Sequence, residues 1–188
     1  MIPAFTGSGV IPPYVGADGP GCSPAQMSPY PVTTLDVVRS LGGTKSRLDI
    51  IGDWLEHREK LRRLGLIKAF QWIDGSFTEN KDPKDIDIVT FFYPPAGVST
   101  VDEKNEFLRK NPSVLSRGGV KSAYKIDSFL VDLGSASESI VGLTRYWFGL
   151  FSHRRDDELW KGMLEVKLQD ASESDARALL NERIAVSI

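Results

Sequence analysis

Three aspartates and one Gly-Ser pair are the residues of this chain whose types and spacing point to chemistry. Asp85 and Asp87 stand two apart in the apolar run "DIDIVTFF". Side chains alternate along a strand, so both carboxylates share one face with Val89 and Phe91, while Ile86, Ile88, Thr90 and Phe92 line the other. Two ionised carboxylates this close repel in a poorly hydrated site, and one takes up a proton unless a cation intervenes. Hard divalent cations with oxygen ligands supply that charge, and Mg²⁺ is usually held by one or two carboxylates together with substrate phosphates. A third carboxylate from a neighbouring strand would complete a two-ion site, with the ions about 3.5–4 Å apart. Asp127, in "YKIDSFLVD", is the candidate because an apolar strand surrounds it. Asp132 lies an odd number of residues further on, faces the other side, and is the alternative third acid.

Gly75 and Ser76 supply the other half of this chemistry. A glycine at a strand's end lets backbone approach a ligand, and the following amide and the Ser76 hydroxyl can donate to phosphate oxygens. Lys161, beside Gly162, is the cation best suited to lie over a phosphate. Lys121, Lys125, Arg154 and Arg155 could serve too, although solvated surface charge explains each one alone, and a helix dipole explains Arg154 and Arg155. Tyr146, Trp147 and Phe148 could stack on a base but at helical spacing read as core. His153 reads as an exposed residue at a helix end. Glu56, Glu59, Lys60, Arg62 and Arg63 read as a solvated helix face.

The elements that must position these residues follow from period and punctuation. Residues 1–32 are rich in Pro and Gly and predict an extended arm, whose Ile2, Phe5, Val10, Ile11 and Tyr14 would drape over the domain of residues 33–188. "TTLDVVRSLGG" predicts a short helix closed by glycine. Residues 46–64 predict a longer helix with Leu48, Ile51 and Leu55 inward and "EHREKLRR" in solvent. "LIKAFQWID" and "DIDIVTFF" predict strands. Thr100 with Glu103 predicts a capping box, Gly118-Gly119 a turn, and "SAYKIDSFLVDL" a third strand. Ser135 with Glu138 predicts a cap for a helix burying Ile140, Thr144, Trp147 and Phe151. "KGMLEVKL" predicts a last strand, and Ser172 with Asp175 a last helix. The fold class is therefore mixed α/β, a small sheet flanked by helices.

Bulk properties narrow the function. A net charge of −2 argues against a broad duplex nucleic-acid footprint. The single Cys22 excludes an internal disulfide and, with only His57 and His153 beside it, a Cys/His zinc site. No apolar run reaches membrane-spanning length, and the N-terminus has no signal-peptide pattern, so a cytoplasmic protein is expected.

"GSF", seven intervening residues, then "DID" in apolar flanks resembles the signature of the polymerase-β-type nucleotidyltransferase superfamily. The wider layout, "GVIPPY", "WIDGSF…DIDIV", then "YWFGLF…WKGMLEVKL", is similar to short bacterial nucleotidyltransferase-like proteins, some of which act in phage defence or toxin–antitoxin pairs. The resemblance implies a nucleotidyltransferase fold and a two-ion Mg²⁺ (or Mn²⁺) site at Asp85, Asp87 and Asp127. It also implies triphosphate contacts from Gly75 and Ser76 to an NTP or dNTP. The reaction implied is attack by a hydroxyl on the α-phosphorus with release of pyrophosphate. The acceptor stays open between a growing oligonucleotide or nucleotide signal, a Tyr, Ser or Thr of a partner protein, and a small molecule. A non-catalytic nucleotide-binding or antitoxin module and a homo-oligomer held by the arm are further expectations.

Overall fold

The computed structural model describes residues 1–17, 19 and 23–186; Cys22 lies outside them. Among the described residues five strands, β1 (Tyr30–Pro31), β2 (Ala69–Asp74), β3 (Ile86–Phe92), β4 (Ile126–Asp132) and β5 (Leu164–Lys167), form one mixed sheet in the order β1-β5-β2-β3-β4. β2 runs antiparallel to both β3 and β5, whereas β3 and β4 are parallel. The helices are α1 (Thr34–Leu41), α2 (Lys45–Arg63), α3 (Val101–Lys110), α4 (Pro112–Leu115), α5 (Arg117–Ala123), α6 (Ser137–Phe151) and α7 (Glu173–Val186). The small mixed sheet flanked by helices is thus the architecture observed.

Alternation along the strands sorts the two faces. Ile73, Ile86, Ile88, Ile126, Leu164 and Val166 pack against Ile50, Ile51 and Trp54 of α2, with α1 and α7 closing the same core. Trp72, Val89, Phe91 and Val131 turn the other way, onto Trp147 and Phe151 of α6. Each fully buried large apolar side chain contributes roughly 1.5–3 kcal/mol through its burial. The N-terminal segment belongs to this packing. Ile2 and Ile11 are in the main core, and the Gly162 amide donates to the Ile11 carbonyl at 2.7 Å. A Cβ on Gly162 would sit 2.4 Å from the Pro12 carbonyl, so this glycine admits the arm.

Several local expectations need correction. The "EHREKLRR" run of α2 is not all in solvent: His57, Arg58 and Leu61 are fully buried. Arg58 reaches Glu173 at 3.1 Å, Gln71 at 3.0 Å and the Lys167 carbonyl at 2.7 Å, so α2 carries a paired charge through its apolar face. Arg62 also joins Glu173, at 2.6 Å. Gly118-Gly119 is not a turn but part of α5, where Ser116 caps the Gly119 amide; a Cβ on Gly119 would lie 2.1 Å from the Pro112 carbonyl, so glycine lets α4 and α5 touch. The third strand therefore begins at Ile126. α6 is entered through Ala136 without a side-chain cap. The Thr100–Glu103 capping box is present as expected.

Nδ1 of His57 is the one fully buried side-chain polar atom among the described residues without a hydrogen-bond partner, while Nε2 meets the Val114 carbonyl at 2.9 Å. Burial holds its pKa below the ordinary value, with Lys60 and Arg58 pushing the same way and the Val114 carbonyl opposing. Because the folded pKa is depressed, this stabilisation is complete above the unfolded value of about 6.5 and is lost as pH falls below it. The urea midpoint should therefore drop between pH 7.5 and pH 5.5, and His57→Leu should flatten that dependence.

Candidate active site

The pairing register places three carboxylates in one row across the sheet. Asp74 at the end of β2 opposes Asp87 on β3, and Asp87 opposes Asp127 on β4. Asp85 lies just before β3 rather than within it, close enough to Asp87 for the two charges to interact. Asp127, not Asp132, is the third acid on this face. Asp132 turns to the opposite side and pairs with Lys104 of α3 at 2.6 Å.

Asp87 has no ion-pair partner among the described residues. Burial first, then the charges of Asp85 and Asp127, push its carboxyl above the usual range. Asp127 is in the opposite condition. Arg117 grips both its oxygens, Nε to Oδ1 at 2.6 Å and Nη2 to Oδ2 at 2.7 Å, and Lys121 adds a third bond at 3.1 Å. These bonds, Arg117's foremost, hold the Asp127 carboxyl below its usual range against the effect of burial. Lys121 also stands 3.6 Å from Asp85.

The chain after β2 turns at Gly75 into a single 3-10 turn, Gly75–Thr78. Gly75 has φ +76, and a Cβ there would fall 1.9 Å from Asp87 Oδ2. Both the backbone and the neighbouring carboxylate therefore require glycine. Gly75→Ala should cost about 1–3 kcal/mol in chemical denaturation and displace the Asp87 carboxylate, seen as a shift of its NMR resonance. Ser76 is half-buried, and its hydroxyl has no protein partner among the described residues. It opens on a cavity of about 180 Å³ between the Gly75 turn, Asp87 and the segment following α6 that carries His153, Arg154 and Arg155.

The cations of this cleft divide sharply. Lys161 is 2% exposed, and its three donor positions are taken by Asp74 at 3.1 Å, Glu79 at 3.2 Å and the Gly75 carbonyl at 3.0 Å. Lys161 lines the cavity, and these three acceptors hold its ammonium against the Gly75 turn. Arg154 is engaged by Asp157 at 2.8 Å and the Ser8 carbonyl at 2.9 Å. Arg155 is exposed, forms no ion pair among the described residues, and exerts an attractive field on Asp87. Lys125 pairs with Asp49, away from the cleft. Trp147 and Phe148 pack on Phe129 and Trp72, respectively, leaving Tyr146 exposed beside them.

Sequence reasoning missed Asp74, which is 4% exposed and whose pKa burial raises to about 7 despite Lys161. Its place immediately before Gly75 was the available signal. It also missed Arg117 and Lys121 as partners of the third acid; their i, i+4 spacing on one helix was visible only once α5 was known to be a helix.

The donor set admits a hard cation in a limited way. Among the described residues no group of three or more His, Cys, Asp or Glu side chains is arranged to hold a metal ion. Asp87 lines the cavity, and Asp85, two residues before it, stands by Lys121; one or two carboxylates together with substrate phosphates are the usual ligands of Mg²⁺. Residues 3–167 match a family of unknown function, DUF6932, and the chain belongs to that family. No curated protein and no solved structure matches it. No helix among the described residues is long and apolar enough to cross a membrane.

Proposed function

We propose that the protein is a nucleotidyltransferase of the polymerase-β type, moving a nucleoside monophosphate from an NTP or dNTP to a hydroxyl and releasing pyrophosphate. The observation that carries this reading is the closeness of the Asp87 carboxylate to Gly75, where a Cβ would fall 1.9 Å from Oδ2, beside a Ser76 hydroxyl with no partner among the described residues. It sets an uncompensated acid next to a turn whose amide and hydroxyl could donate to a phosphate, which is the juxtaposition that such a transfer needs.

In this reading Ser76 and the backbone of the Gly75 turn donate to phosphate oxygens, and Arg155 neutralises charge at the cavity's open side. Asp85 and Asp87 would hold Mg²⁺ or Mn²⁺, which when bound supplies charge neutralisation at the phosphates and lowers the pKa of an attacking hydroxyl. Lys161 and Thr78 orient the turn: Thr78 Oγ1 donates to Asp74 at 3.1 Å. The acceptor proposed is the end of a short oligonucleotide or nucleotide signal made without a template, in bacterial defence. Nucleotide transfer onto a partner protein is the rival acceptor within the same chemistry.

A second reading, a non-catalytic nucleotide-binding module, draws on one observation: the third acid is neutralised by Arg117 and Lys121. Incubation with each α-³²P-labelled NTP and dNTP and Mg²⁺ or Mn²⁺, with and without oligonucleotide and cell extract, separates these. A labelled ladder supports oligonucleotide synthesis and a labelled protein band supports modification of a partner. Binding without any incorporation favours the module.

A further inference from the structure

We propose that Arg117 and Lys121 stand in for the second of the two cations a three-acid centre would gather, so that this site takes one divalent ion per chain. This rests on the reading of Asp85 and Asp87 as cation ligands. Of the three carboxylates at this edge of the sheet, Asp127 pairs with Arg117 and Lys121, and Asp85 with Lys121, while Asp87 has no ion-pair partner among the described residues. With Asp127 held by both of these side chains, Asp85 and Asp87 are the two of the three acids left to ligate an ion.

The two cations come from one anchored helix, and their side chains reach solvent, 60% exposed for Arg117 and 53% for Lys121. α5 is fixed by the Ser116 cap at its start and by Val120, fully buried in the main core. Arg117 and Lys121 are four residues apart and so emerge from the same side of α5. The Arg117 guanidinium also lies over the Phe129 ring, 4.8 Å from its centroid, which orients its fork for the two bonds to Asp127. A bidentate charge-assisted pair on a carboxylate that is 6% exposed is a strong competitor for an incoming ion. Lys121 goes further: within reach of Asp127 and Asp85 at once, it occupies the space between the two acids that a bridging ion would need. The remaining opening is at Asp87, toward the Ser76 cavity.

Mn²⁺ titration of the full chain, read by the free-ion EPR signal and by calorimetry, tests this. One ion per chain is expected in the wild type. The double variant Arg117→Met with Lys121→Met should bind two. The single variant Lys121→Met keeps the Arg117 bonds and hence the fold. It should keep one ion but bind it roughly tenfold more tightly, because a unit charge beside Asp85 is gone; Lys121→Arg should match the wild type. Two ions in the wild type, or unchanged stoichiometry and affinity in both methionine variants, would overturn the stand-in role while leaving the cation reading intact. No ion bound by any of them sinks the cation reading and the stand-in role with it.

Discussion

Asp87→Asn should abolish nucleotidyl transfer, by about 10³-fold or more, and yield a protein at least as stable as the wild type. The two effects share one cause. The carboxylate is buried, is crowded by Asp85 and Asp127, and has no ion-pair partner among the described residues, so its charge opposes folding whenever no cation is bound. Asparagine removes that charge at nearly constant volume. The sign with pH follows. The folded pKa of Asp87 is raised, so its favourable contribution is complete only below the unfolded value of about 3.9 and is lost as pH rises through the folded pKa. The thermal midpoint of the variant should therefore exceed the wild type's at neutral pH, and the gap should close in acid. Adding Mn²⁺ should reverse the order, since only the wild type gains from binding. A variant that unfolds, or one that keeps its transfer activity, removes Asp87 from the role given to it. Stability gained where activity is lost is the pattern expected of a residue kept for function.

How far the sequence could be read depended on the range of the forces involved. The split of β3 into a face that turns from acidic to apolar and a face of Ile86, Ile88, Thr90 and Phe92 was legible from a period of two, because alternation is a property of the backbone. The capping box at Thr100 and Glu103 was legible because all its partners lie within four residues. Asp127 was legible as an acid on an otherwise apolar strand, and the register that sets it beside Asp87 then followed from parallel pairing. The misread parts involve partners distant in sequence. Arg58 is buried because Glu173, on α7, meets it; nothing near Arg58 in the chain announces that. The glycines of α5 read as a turn because their local preference is for turns, whereas at Gly119 the close approach of α4 decides the matter. Lys161 drew attention for its neighbour Gly162, yet that glycine serves the N-terminal arm, and the lysine serves two acids more than eighty residues earlier in the chain.

That last correction gives the other large effect. Lys161→Met should destabilise the fold by about 3–5 kcal/mol, the cost of leaving a buried charge without its partner. Asp74 and Glu79 are 4% and 5% exposed, and the lysine also ties down the Gly75 carbonyl. Even with Lys161 present, burial raises the Asp74 pKa to about 7; without it the carboxyl would be pushed higher still. Raised folded pKa values mean stability that is present at low pH and lost as pH rises. In the wild type that loss spans the interval from about 3.9 up to about 7, and in the variant it continues above it. The deficit measured by urea denaturation should therefore be larger at pH 9 than at pH 6, where protonated Asp74 no longer needs a counter-charge. Nucleotide binding should weaken along with stability, because the Gly75 turn loses its underside. A variant as stable as the wild type that fails only to bind nucleotide would restore Lys161 to the phosphate-contacting role suggested by its neighbour Gly162. Under that outcome, the Asp74 and Glu79 contacts would have to rearrange whenever substrate enters.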